Sequence, residues 1–301
     1  MKTAIVGAGA MGQLFGARLQ LAGEDVTLFD TQQRTIDALN SSGISLETEK
    51  GTEHVSVKAR RAEDERGPFD LFVVFTKGFH TRSAVESVQH LLGPGSVGLT
   101  LQNGLGHAKI LMEFFGPEHT VAGVTDFPAD LEAVGRVKSS ERGSVRIGSL
   151  GPQGHADEVA QAFNRAGLNA KVESDVRIPI WEKVAFNAAL NSLSAVTGKV
   201  VGDLAKSPDA RALISAVLAE TRSVAASEGI DLSVERVGGA VESAFANHAA
   251  HKTSMLADLE AGRPTEVDFI GGAVVETGRE SGVPTPVLET LCRLVRIRTA
   301  N

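Results

Sequence analysis

KTAIVGAGAMG, residues 2–12, carries an apolar run straight into a glycine turn. Ala4, Ile5 and Val6 read as a buried strand, and Met11 to Ala22 reads as a helix. Gly7, Gly9 and Gly12 therefore sit between the end of a strand and the opening of a helix. That spacing, in that setting, is the fingerprint of a dinucleotide-binding turn. Gly7 permits the tight turn, Gly9 lets a pyrophosphate approach the backbone, and Gly12 lets helix and strand pack closely. Ala8, Ala10 and Met11 complete the turn, and the helix N-terminus behind them favours phosphate charge. A glycine-rich turn without a ligand is the alternative; the flanking strand and helix favour the nucleotide.

Asp30 ends the next strand, Val26 to Phe29, eighteen residues after Gly12. A carboxylate there accepts hydrogen bonds from both hydroxyls of the adenine ribose and repels a 2′-phosphate, which favours NADH. Alternatively, Asp30 merely caps the following helix. Arg34, one turn later, has the reach to meet a 2′-phosphate, so NADPH stays open.

Outward from this turn the chain alternates strand and helix. A helix is expected from Gln32 to Leu39, short strands near Ile44–Leu46 and His54–Val57, and a buried strand in FDLFVVF. A helix from His80 to Leu92 and a strand from Val97 to Leu101 follow. Strands this apolar suit a parallel sheet covered by helices on both faces. GRVKSSERGSVRIGS, residues 135–149, reads as a hairpin. Past Ser174 strand signals stop and helical patterns take over. Ser207-Pro208 and Thr285-Pro286 read as helix starts, and Gly229, Gly262 and Gly282 as helix stops. The expected fold class is α/β: a Rossmann dinucleotide-binding domain over residues 1–174, then an all-α domain over 175–301.

Composition narrows the class. With 301 residues, two domains are the default. A net charge of −7 argues against a broad nucleic-acid surface. Cys292, the single cysteine, excludes an internal disulfide and a cysteine metal cluster. No histidine group has metal-ligand spacing; His248 and His251 lack a third partner. No apolar run is long enough to span a bilayer, and the N-terminus lacks a signal-peptide pattern. A cytoplasmic enzyme is expected.

In WEKVAFNAALN, Lys183, Asn187 and Asn191 lie four residues apart, on one face of a largely apolar helix. Burying a lysine and two amides in one row is unfavourable unless something completes their hydrogen bonds. A polar substrate would do so. Alternatively, the lysine stem packs while its head reaches water, and the amides satisfy buried backbone groups.

GAGAMG, TKGFHT, LQNG, WEKVAFNAALN and HKTSMLADLEAGRPTEVD occur in that order. Together they resemble the ketopantoate reductase (2-dehydropantoate 2-reductase) family over nearly the whole chain. The resemblance implies a Rossmann domain followed by a helical domain of the 6-phosphogluconate dehydrogenase C-terminal type. It implies NAD(P)H-dependent reduction of ketopantoate to pantoate, in pantothenate biosynthesis. By the same resemblance Lys183 is the general acid, and Glu266 hydrogen-bonds in the active site and near the cofactor ribose. Asn103 touches cofactor and substrate, and Asn187 and Asn191 hold substrate oxygens. Ser254 binds the substrate carboxylate, and Lys77 and Ala129 contact the cofactor. The chemistry agrees: hydride addition builds charge on a ketone oxygen, and an ammonium stabilises it and delivers the proton. Taken singly, Lys77, Asn103 and Ser254 are ordinary loop or cap residues; in this order the functional assignment prevails for all seven motif side chains.

Departures from the family bear on the substrate. Val201 stands before Gly202 where the family has asparagine, His251 precedes the TSML serine, and GVTDFPA replaces a threonine-rich stretch. Asp126 and Phe127 are then expected near the nicotinamide face. A more apolar pocket would suit another branched 2-oxo acid, giving an NADH-dependent D-2-hydroxyacid dehydrogenase of the same family. A dinucleotide-sensing protein without turnover is the alternative of a different class, and the retained Lys183 and Glu266 oppose it. The expected partner is a small-molecule 2-oxo acid, with no nucleic acid and no membrane; a homodimer stays open.

Overall fold

The computed structural model describes residues 1–152 and 154–299. The chain divides into two compact units, Met1–Gln102 with His107–Val176, and Asn103–Gly106 with Arg177–Asn301.

The first unit runs β1 (Lys2–Val6), α1 (Ala10–Leu21), β2 (Asp25–Phe29), α2 (Gln33–Ser42), β3 (Ile44–Thr48), β4 (Gly51–Val55), β5 (Lys58–Arg60) and β6 (Phe69–Val74). It continues with α3 (Thr81–Val88), β7 (Leu92–Thr100), α4 (His107–Phe115), β8 (Thr120–Thr125), β9 (Ala129–Ala133), β10 (Arg136–Ser139), β11 (Val145–Ser149), α5 (Ala156–Arg165) and β12 (Ala170–Val172). The large sheet is ordered β12-β11-β8-β7-β6-β1-β2-β5, and its pairs from β5 to β8 are all parallel. Its central strands bury both faces, as their uninterrupted apolar sequences require. Ile5, Leu71, Val73 and Leu99 enter one core with Phe15, Leu19 and Phe163. Their neighbours Ala4, Val6, Phe72 and Val74 enter another with Val85, Val88, Leu111 and Phe115. The period of two along each strand produces this division.

A second sheet, ordered β4-β3-β10-β9, corrects the expected hairpin. β10 and β11 do not pair with each other. β10 lies between β3 and β9, and β11 joins β8 in the large sheet. Both ladder edges of β10 are taken, so none remains for β11. The tight turn falls one strand earlier, between β9 and β10, where Gly135 adopts a φ of 81°. The helix expected from His80 to Leu92 is α only over Thr81–Val88, with a 3-10 turn on each side.

The second unit holds α6 (Arg177–Thr197), α7 (Val201–Ala205), α8 (Pro208–Ser227), α9 (Val234–Asn247), α10 (Ser254–Glu260), α11 (Gly271–Ser281) and α12 (Pro286–Thr299). No strand occurs among the described residues of Arg177–Asn301. α6 packs against every other helix of this unit. Its small residues Ala185, Ala188 and Ala189, all at 0 % exposure, allow that close approach. Ser207 caps α8 through the Ala210 N–H, as its sequence predicts. The start of α12 is capped differently: the two oxygens of Glu220, on α8, accept the N–H groups of Val287 and Leu288 at 2.9 Å each. Among the described residues no helix is long and apolar enough to cross a membrane.

Candidate active site

Gly7 leaves β1 with a φ of 102°, and a Cβ there would lie 3.0 Å from the Thr76 nitrogen. At Gly12 a Cβ would fall 1.9 Å from the Gly7 carbonyl oxygen, so no larger residue fits between turn and helix. At Gly9, in contrast, a Cβ would meet nothing within 4 Å. Ala8 is buried, Gly9 exposed, and Ala10 and Met11 half-buried, so one side of the turn stays open. α1 has no side-chain cap and no acidic residue in its first turn. Its leading N–H groups, which have no partner within the helix, and its dipole fit an anionic group such as a pyrophosphate.

Asp30 stands half-buried beside this turn. Its Oδ2 accepts the Ala8 N–H at 3.1 Å, and its Oδ1 accepts the Gln32 N–H at 2.8 Å. The carboxylate thus does structural duty at the turn and at the approach to α2 together. Arg34 is exposed and donates from Nε to Gln32 Oε1 at 3.0 Å.

Lys77 is half-buried in the loop after β6, directly after Thr76, whose backbone meets Gly7. Gln102 ties this loop down: its Nε2 donates to the Thr76 carbonyl at 2.7 Å and to Thr81 Oγ1 at 2.9 Å. His107, buried at 2 % exposure, lies with Nδ1 3.2 Å from the same hydroxyl. His54 and His80 are exposed. Ala129 opens β9 and is half-buried. Phe127 does not present a face to a ligand. It is 5 % exposed, packs edge-on to Phe15 at 6.4 Å and carries the Arg18 guanidinium over its ring at 5.4 Å. The exposed Asp126 accepts hydrogen bonds from the Ser144 backbone and hydroxyl.

In the second unit, Asn103–Gly106 is held against Phe269. Gly104, with a φ of 106°, comes so near that a Cβ would stand 2.3 Å from the Phe269 oxygen, and the Leu105 N–H donates to that oxygen at 2.8 Å. Phe269 in turn donates its N–H to the Glu266 carbonyl at 3.1 Å. The segments carrying Asn103 and Glu266 are therefore neighbours, although 163 positions separate them in sequence. Glu266 is half-buried and precedes α11 rather than opening it.

α6 carries Lys183 and Asn187, both half-buried, and Asn191, buried at 5 % exposure. Among the described residues the amides of Asn187 and Asn191 have no hydrogen-bond partner, and Lys183 is engaged. Neither is among the fully buried polar atoms left without a partner, so both amides remain accessible to a ligand or to water. Ser254 is exposed at the first position of α10, which packs against α6. The cap of that helix is Thr253, whose hydroxyl accepts the Leu256 N–H, so Ser254 is not used for capping. Val201 is 2 % exposed and part of the helical core, with its N–H donated to the His251 carbonyl at 3.1 Å. It therefore packs inward and gives no apolar wall to a pocket. His248 and His251 are exposed. Among the described residues no group of three metal-ligating side chains is assembled.

Gln13 and Gln102, which are not among the expected site residues, hold the glycine turn and the loop after β6. The signal for Gln13 was present: a lone amide among Met11, Leu14, Phe15 and Ala17 on a buried helix.

A parallel sheet with a glycine turn at its first strand, followed along the chain by a helical unit, is the architecture of a Rossmann-type dinucleotide-binding protein. Residues 3–152 match the family described as ketopantoate reductase PanE/ApbA, and residues 175–299 match its C-terminal part. The 2-dehydropantoate 2-reductase of Streptococcus pyogenes serotype M6 is 31% identical over 300 residues, covering 98% of this chain and 97% of its own. That of Archaeoglobus fulgidus is 32% identical over 294 residues, covering 97% and 96%. The ternary structure of D-mandelate dehydrogenase with NADH and anilino(oxo)acetate superposes with a TM-score of 0.94 at 30% identity, covering 100% of this chain and 99% of that one. The chain belongs to the ketopantoate reductase family.

Proposed function

We propose that the protein reduces 2-dehydropantoate to pantoate, a step of pantothenate biosynthesis, with a reduced nicotinamide dinucleotide. The observation that carries this is the row on α6, where Asn191 is 5 % exposed and its amide, among the described residues, has no protein partner. A bound 2-oxo acid would supply the missing partners. The names of the relatives at 31% and 32% identity support the same substrate.

Gly7, Ala8, Gly9, Ala10, Met11, Gly12, Asp30, Lys77, Asn103, Ala129 and Glu266 would hold the dinucleotide. The reduced nicotinamide, when bound, supplies hydride to the carbonyl carbon. Lys183 donates the proton to the carbonyl oxygen, where negative charge builds as the C=O bond is reduced. Asn187 and Asn191 orient the substrate oxygens, Asn103 touches the substrate beside them, and Ser254 binds the carboxylate. Orientation of this kind lowers the barrier by removing freedom the reactants would otherwise lose. Protein of this kind is expected in the cytoplasm, as a monomer or a homodimer, which light scattering distinguishes.

A second substrate is favoured by one observation. The likeness to D-mandelate dehydrogenase at a TM-score of 0.94 supports a 2-oxo acid with an aromatic side chain and NADH as the reductant. Asp30 supports the same coenzyme. Oxidation of NADH and of NADPH, followed with ketopantoate beside branched and aromatic 2-oxo acids, tests both. The highest kcat/KM with ketopantoate is expected. Tight dinucleotide binding with no turnover of any 2-oxo acid would leave a sensor rather than an enzyme.

A further inference from the structure

We infer that Gln13 is a positioning residue of the nucleotide site: it turns the peptide between Ala8 and Gly9 so that the Gly9 N–H faces the open side of the glycine turn. The inference rests on the assignment of that turn to a dinucleotide.

Gln13 is 0 % exposed on α1, with Gly12, Leu14 and Phe15 around it in sequence and buried. An amide in such a place is unfavourable unless its donors and acceptor are used. Its Nε2 donates to the Ala8 carbonyl at 2.7 Å, and its Oε1 accepts the Gly135 N–H at 2.9 Å. Gly135 is fixed independently, because its carbonyl accepts the Ser45 N–H at 2.7 Å and its φ of 81° sets the β9–β10 turn. The amide of Gln13 is therefore oriented by the small sheet, and it passes that orientation to the glycine turn.

The consequence follows from peptide planarity. Across a trans peptide, C=O and N–H point in opposite directions. The Ala8 carbonyl is drawn toward a fully buried amide. The Gly9 N–H, on the same plane, must point the other way, away from that buried amide, and Gly9 itself is exposed. The preceding peptide is held as well, since the Ala8 N–H is donated to Asp30. Two side chains thus fix the two peptide planes that flank Ala8, before any ligand arrives. Without Gln13 the second plane is free to rotate, and a donor aimed at a phosphate is lost.

Two substitutions test this. Gln13→Met keeps the volume and removes both hydrogen bonds. Gln13→Glu keeps the acceptor for Gly135 but sets a carboxylate oxygen against the Ala8 carbonyl. Dissociation constants for NADH and NADPH, KM and kcat, and melting temperature are measured for each beside the wild type. Gln13→Met is expected to raise the dinucleotide dissociation constant and KM about tenfold, the effect of one misplaced buried hydrogen bond, with kcat at saturation nearly unchanged. Gln13→Glu is expected to bind weakly at neutral pH and to regain affinity as pH falls, because a protonated carboxyl can donate to Ala8 again and burial raises its pKa. A carboxylate here also repels a pyrophosphate directly, so the recovery at low pH is weighed beside Gln13→Met, which adds no charge and removes the same hydrogen bond. A lower melting temperature with unchanged dinucleotide affinity in Gln13→Met overturns the inference, as does a flat pH profile in Gln13→Glu, which decides alone if the Met variant fails to fold. Failure of the wild type to bind either dinucleotide instead removes the nucleotide assignment itself, and the role of Gln13 with it.

Discussion

Asp30 accepts the backbone N–H of Ala8 at 3.1 Å, so the carboxylate expected to select the coenzyme also braces the turn proposed to receive it. Asp30→Ala should accordingly do two things. The preference for NADH should narrow, because a ribose hydrogen bond worth ~1–3 kcal/mol is lost together with the repulsion of a 2′-phosphate. Affinity for both coenzymes should also fall, because the Ala8 peptide loses its anchor. Steady-state kinetics with each coenzyme separates the effects. A wild type that already prefers NADPH by a wide margin would show that Arg34 or another cation dominates.

Lys183→Ala should lower kcat by ~10²–10⁴, the usual loss for an acid–base group, with a much smaller change in coenzyme affinity. Lys183 is the only cationic side chain in WEKVAFNAALN, so an oxyanion on that face of α6 has no second donor of charge on the helix. Near-normal kcat in the variant would move the search for the acid to Glu266 or Lys77.

Asn187→Ala and Asn191→Ala should chiefly raise KM for the 2-oxo acid, since amides bind ground and transition states alike. Asn191→Leu is the sharper experiment. At 5 % exposure and, among the described residues, without a protein partner, the amide adds little to the fold, and an apolar side chain of similar volume should leave the melting temperature equal or higher. KM should rise all the same. A variant that melts several degrees lower and keeps its KM would make Asn191 a structural residue.

Arg18, 8 % exposed, is paired at 2.9 Å with Glu141, which also accepts from Lys50 at 2.8 Å. The hydrogen bond from Lys50, joined by that from Arg18 and opposed by burial, holds the Glu141 carboxyl below its ordinary value of 4.5. A carboxyl with a depressed folded pKa contributes stability that is present above the unfolded value and lost as pH falls through the folded one. Glu141→Gln should therefore destabilise the protein by about 1–2 kcal/mol at pH 7, and the gap should close as acid protonates the wild-type carboxyl. Denaturant unfolding at pH 7 and below 4.5 measures it. An equal gap at both would assign the loss to packing rather than charge.

The legible parts of the sequence were those governed by local rules. The strand of Ala4–Val6, its glycines and the apolar run FDLFVVF are determined by period and by steric need, and both appear where expected. The α6 row was legible because i, i+4 spacing survives any tertiary context. What stayed hidden depends on distant partners. Nothing near Asn103 announces that its segment lies on Phe269. The alternation in residues 135–149 is real, yet a half-buried strand does not declare which neighbour it pairs with, and β10 and β11 choose different sheets. Glu220, rather than Thr285, caps α12 for the same reason: the capping carboxylate arrives from α8.

Cys292 has 0 % exposure, and burial pushes its thiol pKa up to about 12. At neutral pH almost none of it is thiolate, the form that reacts with alkylating reagents. Since it is the only cysteine, the natural chain is already a silent background for thiol labelling. A cysteine placed at an exposed position such as Phe79 or Leu131 could be modified alone, without first removing a native thiol. A fluorophore or spin label at either position would then report on ligand binding in an otherwise unaltered protein.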